Sequence, residues 1–139
     1  MSQLFARQLS RALAAALALS VAAGTAIAAD VAPRSSYLEG VSVAVTPKEV
    51  APGAATWEFS IALNTHSQNL SDDLVKTAVL IDSQGGRHAP TGWEGSPPGG
   101  HHRSGILRFK GLGAQADAIE LQIQRPNEAA PRSFHWKLK

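Results

Sequence analysis

From residue 41 onward, apolar and polar positions alternate with a period of two. That is the pattern of strands with one face in a core and the other in water. Val41, Val43 and Val45 alternate with Ser42, Ala44 and Thr46. Trp57, Phe59, Ile61 and Leu63 alternate with Glu58, Ser60, Ala62 and Asn64. Leu107 and Phe109 share one face of a strand over 104–109. Ile119, Leu121 and Ile123 alternate with Glu120, Gln122 and Gln124, and Phe134, Trp136 and Leu138 with His135, Lys137 and Lys139. Residues 75–81 are apolar on both faces, as in a central strand, and 87–93 carry a weaker strand pattern. Turn-forming residues separate these segments at 47–53, 83–86, 95–100, 111–113 and 126–131. Seven short strands at this spacing predict an all-β fold, an immunoglobulin-like antiparallel β-sandwich, with a closed barrel as the alternative. No helix longer than one turn is expected, and Ser71 is the expected cap of a short turn over 71–74.

The N-terminal stretch breaks this pattern. Residues 1–11 are polar with Arg7 and Arg11 as the charges, 12–23 are almost all Ala, Leu and Val, and Ala26-Ile27-Ala28 follows. Charged start, apolar middle and an A-x-A site are the marks of a cleavable secretory signal. The apolar run is too short to span a bilayer, which takes about 20 residues. The expected organisation is a signal peptide over 1–28, a flexible leader over 29–37 and a β-sandwich domain over 38–139. The expected location is the periplasm or the medium, reached by a Sec-type route.

Processing changes the charge. The chain carries 13 Lys and Arg against 11 Asp and Glu. Losing Arg7 and Arg11 makes it formally neutral. A neutral domain without a basic run is a poor match for nucleic acid or an anionic membrane. There are no cysteines, so neither a disulfide framework nor a thiol nucleophile is available. No nucleophile elbow of the G-x-S-x-G form occurs, and the spacing of Ser, His and Asp marks no triad. The domain is therefore expected to bind rather than catalyse.

In a seven-strand antiparallel sandwich, successive loops alternate between the two ends. Loops 65–73, 94–103 and 125–132 then share one end, and they hold His66, Asp72, Asp73, Glu94, His101, His102, Arg103 and Glu128. Loops gathered at a sandwich end are a usual place for binding sites. His66, Trp93, Glu94, His101, His102 and Arg103 are the candidate binding residues. Three imidazoles with a carboxylate suit Cu(II) or Zn(II), so His66, His101 and His102 with Asp73 or Glu94 form a candidate metal set. Gly99 and Gly100 would let the adjacent imidazoles turn toward one ion. Against this stands a structural role, in which the histidines bond loop backbone and pack on Pro97 and Pro98. Trp93 is either a stacking platform or, more in keeping with its size, a lid on the core. Arg103 and Arg125 either clamp an anionic ligand or pair with Glu94, Asp72 or Asp73. The expected partner is another exported protein or a metal ion.

Leu63-Asn64-Thr65-His66-Ser67, Ala78-Val79-Leu80, the run from Gly92-Trp93-Glu94-Gly95 through Pro97-Pro98-Gly99-Gly100-His101-His102-Arg103-Ser104-Gly105, and Phe134-His135-Trp136 resemble a family of small bacterial exported domains. The similarity runs from about Val41 to the C-terminus, and its most specific part is the glycine-histidine-histidine-arginine block. It implies an exported β-domain and no particular activity. It also implies that His66, His101 and His102 belong to a recurrent pattern. Asn64 stands where that pattern has Asp, and His135 where it has Arg, which argues against His135 as a ligand.

Overall fold

The structure is a computed structural model that describes residues 23–24, 29–113 and 116–139. The segment expected to be the signal lies outside the described residues, apart from residues 23–24. Nine strands and one helical turn follow in the order β1(Arg34–Leu38), β2(Val41–Glu49), β3(Thr56–Thr65), α1(Leu74–Thr77), β4(Ala78–Ile81), β5(Arg87–His88), β6(Gly92–Gly95), β7(His102–Lys110), β8(Ala118–Ile123) and β9(Arg132–Lys137). They form two antiparallel sheets packed as a sandwich. One sheet has the order β1-β2-β3-β7-β6, the other β5-β4-β8-β9. Setting β1 aside, these are the ABED and C′CFG orders of the immunoglobulin sandwich. Among the described residues, no helix is long and apolar enough to cross a membrane.

Alternation explains the layering. Val41, Val43 and Val45 from β2, Trp57, Phe59, Ile61 and Leu63 from β3, and Leu107 and Phe109 from β7 are buried. They face Leu80, Ile119, Leu121, Ile123, Phe134 and Trp136 of the other sheet within one apolar cluster. The Phe59 ring meets Phe109 edge-on, with centroids 5.7 Å apart, and tilts against Trp136 at 5.8 Å. Both fully buried indoles have a partner for the N–H: Trp57 Nε1 donates to Ala51 O at 2.9 Å and Trp136 Nε1 to Ala32 O at 2.8 Å.

Four expectations need correction. The leader expected over 29–37 contains a strand, because residues 34–38 pair with Val41–Val45. Asp30 N–H and Ala32 O also bond Lys137 O and the Trp136 indole on the facing sheet. The strand expected over 75–81 begins as α1, where the Lys76 and Thr77 N–H groups both donate to Asp73 O. The residue capping that turn is Asp73, not Ser71, and it uses no side-chain bond. The strand expected over 87–93 is two: β5 joins one sheet and β6 the other. Pro90 stands between them, and a residue without an N–H cannot continue a ladder. Seven strands therefore become nine, with β1 and the split strand as the additions.

The added pieces close the sandwich sides. β5 and β6 are consecutive and lie at the ends of opposite sheets. On the other side, β1 lies beside β9, where Arg34 Nε donates to His135 O and Arg132 donates to Ser36 O and Leu38 O. An open strand edge is an aggregation hazard, and here a guanidinium covers part of it.

Candidate functional site

Loops 66–73, 96–101 and 124–131 meet at one end of the sandwich, and backbone hydrogen bonds tie the first two together. Thr65 N–H donates to His101 O at 2.9 Å, Leu70 N–H to Gly100 O at 2.9 Å, and Gly99 N–H to Leu70 O at 2.8 Å. Asn69 Oδ1 accepts from Gly100 N–H at 3.0 Å. Gly99 and Gly100 have φ of 113° and 76°, which a side chain would resist.

Beneath the loops lies a buried ionic network. The guanidinium of Arg125 forks onto Asp72, Nε to Oδ2 at 3.0 Å and Nη2 to Oδ1 at 3.2 Å. Arg125 Nη1 also reaches Glu128 Oε2 at 3.1 Å. Glu128 is in turn gripped by Arg132, whose Nε and Nη2 lie 2.8 Å from its two oxygens. The side chains of Arg125, Arg132, Asp72 and Glu128 are all at most 2% exposed. Arg132 Nη1 goes on to Val41 O at 2.9 Å, joining this network to the β1–β2 turn. Bonding to Arg132, ahead of its charge and that of Arg125, holds the Glu128 carboxyl below the usual carboxylate range, against the opposing effect of burial. Arg103 adds a third buried guanidinium. Its Nη1 donates to Asp72 O at 2.7 Å and Leu70 O at 3.2 Å, and its Cζ sits 5.7 Å from the centroid of the Trp93 ring. Arg103 Nε is buried with no hydrogen-bond partner among the described residues.

The candidate residues divide accordingly. Arg103 is buried and bonded to the backbone of the 66–73 loop. Trp93 is half-buried against the core, its indole N–H donating to Ser96 O at 3.0 Å, and the Arg103 guanidinium lies over its ring. Glu94 pairs with Arg108, 2.6 Å away, and not with a histidine or Arg103. Asp73 faces Lys76 at 3.7 Å, both exposed. His66, His101 and His102 are exposed. His102 Nδ1 lies 2.7 Å from Asn64 Oδ1. The loops come together, but among the described residues no group of three or more His, Asp or Glu is placed to hold a metal ion.

Sequence reasoning missed Arg132 and the depth at which Asp72, Arg125 and Glu128 lie. A signal was present. Arg103 is in phase with Leu107 and Phe109, Arg125 with Ile119, Leu121 and Ile123, and Arg132 with Phe134 and Trp136. Each arginine continues the inward face of its strand.

The opposite end is built differently. Asp82 Oδ1 accepts the N–H groups of Gln84 at 2.9 Å and Gly86 at 2.8 Å, and Oδ2 lies 2.8 Å from His88 Nε2. Bonding to His88, then to Gly86 and Gln84, lowers the Asp82 pKa. This turn borders a cleft of about 350 Å³ between Asp82, His88, Lys110 and Leu112.

The class these features define is an immunoglobulin-like sandwich with a polar, internally braced loop end. No family model, curated protein or solved structure matches the chain.

Proposed function

We propose that the protein is an exported, non-catalytic binding module that presents its braced loop end to a ligand or partner in the periplasm or the medium. One observation carries this reading. Three loops are held in fixed relation by buried guanidiniums and backbone bonds, while His66, His101 and His102 remain exposed above them. A surface ordered before contact loses less conformational entropy when it binds. Interaction is favoured over the Cu(II) or Zn(II) alternative because His102 is engaged with Asn64 and Asp73 with Lys76.

Two experiments test this. In calorimetry with Cu(II) and Zn(II), the purified protein is expected to give weak binding that His66→Ala and His101→Ala leave unchanged. A tight one-to-one site lost in both variants would restore the metal reading. A photo-crosslinking side chain at position 101, compared in the producing cell with one at position 84 on the opposite end, is expected to give a defined adduct from position 101 alone. Equal adducts from both ends, or none from 101, would overturn the proposal.

A further inference from the structure

The β1–β2 turn stands beside a notch whose lining points to one class of ligand. Tyr37 pairs with Ser42, Ser42 with Asn64, and Asn64 with His102, so these four residues form a row across four adjacent strands. Their inward neighbours Val41, Leu63 and Arg103 are buried, which puts the row on the outer face of the sheet. At the loop end of this row lies a cavity of about 170 Å³ bounded by Tyr37, Gly40, Ser42, Asn64, His66 and Ser67.

Tyr37 is the one tyrosine of the chain and is 75% exposed. Its side chain has no hydrogen bond or ring contact among the described residues. An aromatic ring left open beside a cavity offers a large, rigid contact area at small entropic cost. The remaining lining consists of hydroxyls, a side-chain amide and an imidazole. No carboxylate, ammonium or guanidinium lines it. A phosphate or carboxylate ligand would lack the cation that usually grips it.

The rim is held in place. Thr65 Oγ1 donates to Gly40 O at 2.9 Å and accepts from Ser67 N–H at 3.2 Å. His102 orients the Asn64 amide. The turn places both Glu39 (φ 51°) and Gly40 (φ 74°) in the left-handed region, the geometry of a two-residue type I′ hairpin. Glutamate is an unusual occupant of that position, and strained residues gather where a local shape is needed.

We infer that this notch binds one ring of a neutral saccharide, with Tyr37 stacking on the sugar face and Asn64, Ser42 and His66 meeting its hydroxyls. A pyranose has an apolar C–H face and a rim of groups that both donate and accept, which matches an aromatic plane beside amide, hydroxyl and imidazole. The cavity is smaller than the 300 Å³ or so of an enclosed small-molecule site, so it takes one unit of a longer chain. The next row on the same face, Ser35, Ala44, Ala62 and Ser104, has short side chains over which further units can lie. The inference rests on the binding-module reading and names its ligand.

The test is an NMR titration of the purified protein with soluble tetrasaccharides of glucose, N-acetylglucosamine and mannose. Each is taken to about 10 mM, enough to saturate a site with a Kd of about 1 mM. At least one sugar is expected to shift the amides of residues 37, 42, 64 and 66. Tyr37→Ala is expected to weaken that binding about tenfold or more while Tyr37→Phe retains it. Saccharide binding indifferent to Tyr37→Ala, or no shift with any sugar, overturns the inference. If the position-101 adduct persists without any sugar response, the inference fails and the binding-module reading survives. If both are absent, both fail.

Discussion

At the loop end, Arg103 bonds Asp72 O across 31 residues of sequence, Arg125 bonds the Asp72 carboxylate across 53, and Arg132 bonds Ser36 O across 96. At the opposite end, the bonds that Asp82 makes to Gln84, Gly86 and His88 span 2, 4 and 6 residues. The loop-end pairs are buried, whereas the His88 and Asp82 side chains are 36% and 24% exposed. One end is therefore held by tertiary contacts that exist only in the folded sandwich. The other is a local turn that a short segment can largely make alone. The contrast also ranks their energies, because a buried charge that loses its partner costs far more than a wetted one.

The largest expected effect comes from breaking the loop end. Arg125→Met strands the Asp72 carboxylate, whose side chain is 0% exposed, and should destabilise by about 3–5 kcal/mol in urea unfolding. Adding Asp72→Leu should recover much of that, because removing both charges also removes the unpaired one. A single-variant loss below about 1 kcal/mol would mean the loop end is not braced by this pair.

An acid titration sharpens the same contrast. The folded pKa of Glu128 is lowered, so the stability it contributes is fully present above the unfolded carboxylate value of about 4.3. It is lost as pH falls through the lower folded value. Urea midpoints across this range should fall for the native chain and fall less steeply for Glu128→Gln. Parallel curves would remove Glu128 from the account. Some slope should remain, because Asp30, Asp82 and Glu120 are lowered as well.

The smallest effect is expected at the local turn. His88→Ala leaves Asp82 with its two backbone donors, and the urea midpoint should stay within error of the native value. The Asp82 titration followed by NMR should nonetheless move upward, because the His88 bond is the largest cause of its lowering. A large stability loss here would reverse the ranking of the two ends.

Much of the fold was legible because a period of two is a local property. The rows of Val41 to Val45, Trp57 to Leu63, Ile119 to Ile123 and Phe134 to Trp136 announce half-buried strands without reference to any partner. The errors fell where a neighbour decides. Residues 34–38 lack a strong pattern and form a strand because β2 is there to pair with. Val75, Lys76 and Thr77 run directly into the apolar stretch 78–81 and read as part of its strand, yet they turn as a helix. At the loop end, alternation of the loops was enough to anticipate that His66 and His101 belong to neighbouring segments. It did not distinguish a charged residue facing water from one facing inward.

The sequence alone determined the class of fold, the positions of most strands and the end at which the histidine loops gather, because alternation and turn chemistry act within a few residues. Only the tertiary structure decided that Arg103, Arg125 and Arg132 point inward and that the imidazoles stay outside. Long-range partners decide that. A guanidinium lies buried only where carboxylates and carbonyls from distant strands converge to receive it.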